Sequence, residues 1–157
     1  MSTICEWDNG IGTFVLVDNT DEQFSKVGYW KVADKAVGFY GTDYRYTYGG
    51  DGSAVATFTF EIPVDGNYEI AAQWPAHPSR APDAPFTLVN NGTYVDTILV
   101  DQRINGGQFN PLTGAVASGM GIYTLSAGVL EVNLSNDADG KVAADAVRVT
   151  NIRPANN

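Results

Sequence analysis

An all-β fold, a single antiparallel β-sandwich of the jelly-roll kind with about eight or nine strands, is predicted by three observations. Residues 54–62 alternate without a break, with Ala56, Phe58, Phe60 and Ile62 on one face and Thr57, Thr59 and Glu61 on the other, the pattern of a half-buried strand. The 17 Gly, 8 Tyr, 7 Phe and 3 Trp, beside only 2 Met, suit strands joined by tight turns better than helices. No stretch carries a sustained 3.6-residue apolar stripe with caps.

The elements follow in chain order. Residues 13–17 and 29–32 are short β-prone runs. After the strand at 54–62, Pro63 removes a backbone donor and Asp65-Gly66-Asn67 turns the chain into Tyr68, Ile70, Ala72 and Trp74, a second alternating face; the two runs together predict a β-hairpin. Residues 85–90 and 93–100 flank Asn91-Gly92, a hairpin turn, and 121–126 form a further strand. Leu130, Val132 and Leu134 then alternate with Glu131, Asn133 and Ser135, and the turn-rich 136–140 separates this strand from an antiparallel one at 143–150. Three long irregular stretches remain, at 34–52, 75–85 and 101–119, and loops of that length are more often functional than idle.

The 157 residues suit one hydrophobic core, divided into an N-terminal arm over 1–13 and one domain over 14–153. Eighteen acidic residues against nine basic ones leave a net charge of -9, which argues against nucleic acid and anionic membrane surfaces as partners. No run approaches the roughly 18 apolar residues of a membrane span, so no membrane insertion is expected. Cys5 is the only cysteine, which excludes an internal disulfide and a cysteine-based zinc site. The opening Met-Ser-Thr-Ile-Cys-Glu-Trp-Asp has neither the basic nor the apolar region of a secretory signal peptide.

The long loops carry the distinctive residues. The first contains Gly38-Phe39-Tyr40-Gly41-Thr42-Asp43-Tyr44-Arg45-Tyr46, the second Trp74-Pro75-Ala76-His77-Pro78-Ser79-Arg80-Ala81-Pro82-Asp83, and the third Asp101-Gln102-Arg103-Ile104-Asn105-Gly106-Gly107-Gln108-Phe109-Asn110. With Val17-Asp18-Asn19-Thr20-Asp21 upstream and Ala143-Ala144-Asp145-Ala146-Val147-Arg148-Val149 at the end, these segments resemble the golvesin C-terminal-like domain, also described as the carbohydrate-binding-like module of xanthan lyase. The resemblance covers residues 14–150 in order and spacing. It implies a non-catalytic β-sandwich appended to secreted bacterial enzymes and surface proteins, with polysaccharide or cell-wall binding as its role. It does not carry the binding residues across.

The loop chemistry points to a candidate site independently. Sugars present flat C–H faces ringed by hydroxyls, so a site for them needs an aromatic platform beside planar hydrogen-bonding groups. Tyr44, Tyr46, Trp74, His77, Arg80, Asn105, Gln108 and Phe109 offer that mixture if the loops meet at one end of the sandwich. Trp74 is in phase with Tyr68 and Ile70, so the core competes for it, and Tyr44 and Tyr46 are open equally to packing and recognition.

Catalytic motifs are weak. His77 is the only histidine and lies in a proline-rich loop; a hydrolase would pair it with Ser79, Asp43 or Asp83, but no Gly-x-Ser-x-Gly elbow surrounds Ser79. No pair of carboxylates is singled out for glycoside hydrolysis. Gly49-Gly50-Asp51-Gly52-Ser53 lacks the Gly-Lys-Ser/Thr ending of a phosphate loop and reads as a turn.

Asp145 is the most informative single residue. At strand periodicity it shares a face with Ala143, Val147 and Val149, so a valine core face takes a carboxylate in with it. A buried carboxylate has to be paired, hydrogen-bonded or metal-bound. One candidate partner is Ca²⁺, with Asp18 and Asp21 as further oxygen ligands; the alternatives are hydrogen bonds from a neighbouring loop, or Arg45, Arg80 or Arg103.

The reading is a carbohydrate-binding module for polysaccharide or glycoconjugate, extracellular or surface-associated, that leaves its ligand unchanged. The alternative is a structural subunit of a self-assembling extracellular, surface or virion protein. In that case the sandwich edges and the arm, with Ile4, Trp7, Ile11 and Phe14, pack against copies of the same chain as a homo-oligomer.

Overall fold

The computed structural model describes residues 3–4 and 13–152. Its strands are β1 (Thr3–Ile4), β2 (Phe14–Asp18), β3 (Phe24–Val27), β4 (Lys31–Ala33), β5 (Tyr44–Thr47), β6 (Val55–Ile62), β7 (Gly66–Gln73), β8 (Ala84–Asn90), β9 (Thr93–Val100), β10 (Asn110–Pro111), β11 (Ile122–Leu125), β12 (Gly128–Ser135), β13 (Val142–Ala144) and β14 (Ala146–Ile152). Trp7 and Ile11 of the arm lie outside the described residues, and β1 pairs with β2 of its own chain.

Two sheets form the sandwich. One runs β1-β2-β14-β7, with β10 and β11 both set against β7; the other runs β3-β6-β12-β8-β9. A third, small sheet of β13-β5-β4 sits to the side and is the one that matters for the site. The predicted inward faces are the real ones: Phe58, Phe60 and Ile62 meet Tyr68, Ile70, Leu130, Val132, Leu134, Val147 and Val149 in one buried cluster. Each such side chain contributes on the order of 2 kcal/mol by leaving water.

The predicted hairpin of 54–62 with 68–74 is not formed. β6 belongs to one sheet and β7 to the other, so the chain crosses the sandwich at Pro63–Asp65. Two alternating strands with apolar faces fit side by side in one sheet or face to face across a core, and alternation alone does not distinguish these. Pro63 cannot extend the ladder, and the buried Tyr68 hydroxyl pins the crossing by donating to the Val64 carbonyl at 2.6 Å. The chain also changes sheet between β12 and β14, which are not paired with each other. The Asn91-Gly92 hairpin does form: both residues have positive φ, 52° and 79°, and Asn90 faces Thr93.

The fourteen strands among the described residues exceed the expected number. β1, β3, β5 and β10 are short pieces that found partners, and 143–150 divides at Asp145 into β13 and β14. The stretch at 34–52, expected to be irregular, thus contains β5.

Candidate binding site

The small sheet supplies the floor of a cleft. Tyr46 stands opposite Lys31 and Ala143, and Tyr44 opposite Ala33, so Tyr44, Tyr46, Lys31 and Ala33 lie on one face. Above that face is a cleft of about 420 Å³, walled on one side by residues 31–36 and on the other by His77, Ser79, Arg80 and Lys141. Arg80 reaches this wall because its backbone forms an isolated bridge with Lys141 and its amide closes a turn on the His77 carbonyl at 3.0 Å.

Arg80 is 6% exposed. Its Nε donates to the Pro75 carbonyl at 3.0 Å, and its guanidinium carbon lies 5.3 Å from the Tyr44 ring centre and 6.0 Å from that of Tyr46. The guanidinium is thus held over aromatic faces, an arrangement that stabilises the cation without neutralising it. Tyr44 is buried beneath it, whereas Tyr46 is half-buried and presents ring surface to the cleft. His77 is exposed, and its Nδ1 accepts the Ser79 amide at 3.1 Å and meets Ser79 Oγ at 2.8 Å. That contact is a local loop ring between residues two apart.

The eight predicted residues divide. Tyr44, Tyr46, His77 and Arg80 share the cleft. Trp74 goes to the core, 3% exposed, with Nε1 donating to the Ile104 carbonyl at 2.9 Å. Asn105, Gln108 and Phe109 form a second patch, in which the Phe109 ring carries the Arg148 guanidinium at 4.6 Å and meets Tyr40 edge-on. The loops bearing the two groups do touch: Gly38 has φ +99°, and a Cβ there would stand 2.9 Å from the Gly107 amide nitrogen, so only glycine permits this approach.

Beside the cleft lies the acidic cluster. Asp145 is 1% exposed and accepts the Tyr40 amide on both carboxylate oxygens, at 2.9 and 3.2 Å. Burial pushes its carboxyl up to about 8, helped by the charges of Asp18 and Asp43. Burial likewise pushes Asp18 up to about 6, against a hydrogen bond from Thr20 that favours its charge. Asp21 turns Oδ2 to the Asp18 amide at 2.8 Å, and Asp43 takes the Asn19 side-chain amide at 2.6 Å. Asp18 Oδ1 and Asn19 Oδ1 are buried without a hydrogen-bond partner. Among the described residues, no three His, Cys, Asp or Glu side chains converge closely enough to hold a metal by themselves.

Residues 15–151 match the Golvesin C-terminal domain. The chain belongs to that family. A xanthan lyase of Bacillus sp. strain GL1 is 36% identical over 141 residues, which are 85% of this chain and 14% of the lyase. The structure of Paenibacillus xanthan lyase superposes with a TM-score of 0.78 at 32% identity, over 90% of this chain and 13% of that one. A family 35 carbohydrate-binding module from Cellvibrio japonicus superposes with a TM-score of 0.63 at 17% identity, over 90% of this chain and 95% of the module, which shows a shared sandwich fold. The Golvesin domain here therefore corresponds to a small part of each lyase.

Several residues of this Golvesin domain were not singled out from the sequence. Lys31, Lys35 and Lys141 line the cleft, and Tyr48 stacks edge-on with Tyr46 at its margin. The alternation Tyr44-Arg45-Tyr46-Thr47-Tyr48 was a usable signal for Tyr48, since a strand puts all three tyrosines in phase. The lysines gave none, because their convergence depends on pairings between distant segments.

Proposed function

We propose that this Golvesin domain binds polysaccharide or cell-surface glycoconjugate in the cleft over β4, β5 and β13, leaving it chemically unchanged, in an extracellular or surface setting. The observation that carries the reading is convergence: a half-exposed tyrosine, a planar guanidinium and an imidazole line one cleft of about 420 Å³. An aromatic face for the pyranose ring and planar donors for its hydroxyls are what sugar recognition requires. The relatives add support, one being named a xanthan lyase and a fold neighbour a carbohydrate-binding module. The His77–Ser79 pair is exposed, and Nδ1 is already engaged by the Ser79 amide, which disfavours Ser79 as an activated nucleophile.

The test is retention in native gels cast with soluble polysaccharides, neutral and charged. Retardation that Tyr46→Ala abolishes, with an unchanged melting temperature, supports the reading; no retardation by any polymer overturns it. Light scattering on the same sample separates it from self-assembly, which requires a stable oligomer.

As part of the same proposal, Ca²⁺ is assigned to the cluster of Asp18, Asn19 and Asp145, with Asp21 shaping the turn beside it. The two partnerless buried oxygens, Asp18 Oδ1 and Asn19 Oδ1, fit a hard cation that prefers oxygen ligands. Bound there, the ion would supply positive charge against the clustered carboxylates next to the 38–43 loop.

A further inference from the structure

We propose that the cleft selects carboxylate-bearing saccharides, uronic acids and their polymers, with Arg80 as the fork that grips the carboxylate. This rests on the glycan reading of the cleft and specifies its substrate class.

The first argument is the state of Arg80. It is more than nine-tenths buried, yet the ion pairs among the described residues are Arg103 with Asp101 and Arg148 with Glu69, so none of the described carboxylates pairs with it. Among the described residues its side chain makes one hydrogen bond, from Nε to Pro75, and the two terminal nitrogens of this cleft-lining residue take no partner. A buried cation without a counter-charge is costly, and a domain that keeps one beside a cleft has a place for an anion. The planar edge of a guanidinium matches a planar carboxylate with two parallel hydrogen bonds.

The second argument is the charge around it. Of the nine Lys and Arg in a chain of net charge -9, Lys31, Lys35, Arg80 and Lys141 line this one cleft, with Asp34 as the acid among the lining residues. Lys141 Nζ is set 5.5 Å from the Tyr46 ring centre, so the aromatic surface and the cations act on the same ligand face. The rest of an acidic surface repels a polyanion, which leaves this cleft as the attractive place for it. A uronate residue stacked on Tyr46 would carry its carboxylate toward Arg80 and its neighbours along the polymer toward the lysine rim.

The experiment uses the intact chain with polygalacturonate, alginate and hyaluronate, each beside its carboxyl-reduced form, with dextran and dextran sulfate as neutral and sulfated controls. Affinity gels at low and high salt read the dissociation constant. The expected result is binding to at least one uronate polymer that drops roughly tenfold or more on carboxyl reduction and weakens with salt. Arg80→Lys, which keeps the charge and loses the fork, should weaken binding by a similar factor. If that variant does not fold, Lys35→Gln at the exposed rim should still weaken it about two- to threefold without a change in melting temperature. Equal binding of acidic and reduced polymers, or preference for dextran, overturns the carboxylate assignment and leaves glycan binding standing. Dextran sulfate bound as well as any uronate also overturns it. Retention of no polymer at all overturns both.

Discussion

The backbone amide of Tyr40 donates to both carboxylate oxygens of Asp145, tying the first long loop to the point where the last strand passes from the small sheet into the sandwich. Loop 38–43 borders the acidic cluster on one side and leads into β5, the floor of the cleft, on the other. One buried acid thus connects the last strand to the position of Tyr44 and Tyr46.

Asp145→Ala removes the acceptor of the Tyr40 amide and leaves a small void, and should cost about 2–3 kcal/mol in urea unfolding. Asp145→Asn keeps the acceptor and resembles the protonated acid, so near pH 7 and without divalent cations it should cost less than about 1 kcal/mol. An Ala variant that loses under about 0.5 kcal/mol would show that the Tyr40 contact contributes nothing to stability.

The raised carboxyls set the sign of the pH dependence. Asp145 moves from 3.8 to about 8 and Asp18 from 3.8 to about 6, so the folded chain holds protons that the unfolded chain has released. The stability contributed by these groups is complete below about pH 4, and is lost as pH rises through about 6 for Asp18 and about 8 for Asp145. In chelator the melting temperature should therefore fall between pH 5 and 8, and Asp145→Asn should remove the upper part of the slope. A melting temperature rising over that interval in chelator would mean that both acids are ionised in the fold.

Calcium acts on the opposite protonation states, because it binds the ionised carboxylates. Added Ca²⁺ should raise the melting temperature more at pH 8 than at pH 5, EDTA should reverse the rise, and Asp145→Asn should blunt it. The same curve with and without the ion at pH 8 would remove calcium and leave the hydrogen bond from Tyr40 as the sole account of Asp145.

The strand faces were legible because a period of two is written locally: Phe58, Phe60, Tyr68, Ile70 and Val132 could be assigned inward with no knowledge of their partners. Which strands pair was not, since the face pattern of β6 and β7 is the same whether they are neighbours or opposite one another. The candidate site was legible only as residue types. Tyr46, His77 and Arg80 were chosen that way, and they meet in one cleft because β5 pairs with β4 and β13 and because Arg80 bridges Lys141. The three lysines of the cleft are ordinary surface residues until those long-range pairings put them together.

Asn136 is a structural residue that composition could not mark out from the turn around it. Its Oδ1 accepts the amides of Gly52 and Ala54 at 3.0 and 3.1 Å, and its Nδ2 donates to the Tyr48 carbonyl at 3.0 Å, so one side chain secures the segment after β5. Asn136→Ala should cost about 2 kcal/mol or more by leaving partly buried amides without an acceptor. Asn136→Asp, compared at a pH where the new carboxyl is protonated, should lose less, because it keeps the two accepted bonds and sets no buried charge against the Tyr48 carbonyl. Equal losses for both variants in thermal or urea melts would contradict this division.

The proposed glycan has two candidate aromatic surfaces, and their settings differ. Tyr46 presents its ring to the cleft beside Arg80 and Lys141, whereas the Phe109 ring is already covered by Arg148 at 4.6 Å and edged by Tyr40. Truncating a ring that stacks on a ligand costs roughly 1–3 kcal/mol, by analogy with interface anchors. Tyr46→Ala should therefore weaken binding of a short oligosaccharide and of its polymer alike, each by about that amount. Phe109 lies on the loop that touches Gly38, outside the cleft, so Phe109→Ala should spare the short ligand and weaken only chains long enough to cross from one patch to the other. Calorimetry with a trisaccharide and retardation by the parent polymer read the two cases on the same variants. Loss of trisaccharide binding in Phe109→Ala with none in Tyr46→Ala would move the site from the cleft to the patch of Asn105, Gln108 and Phe109.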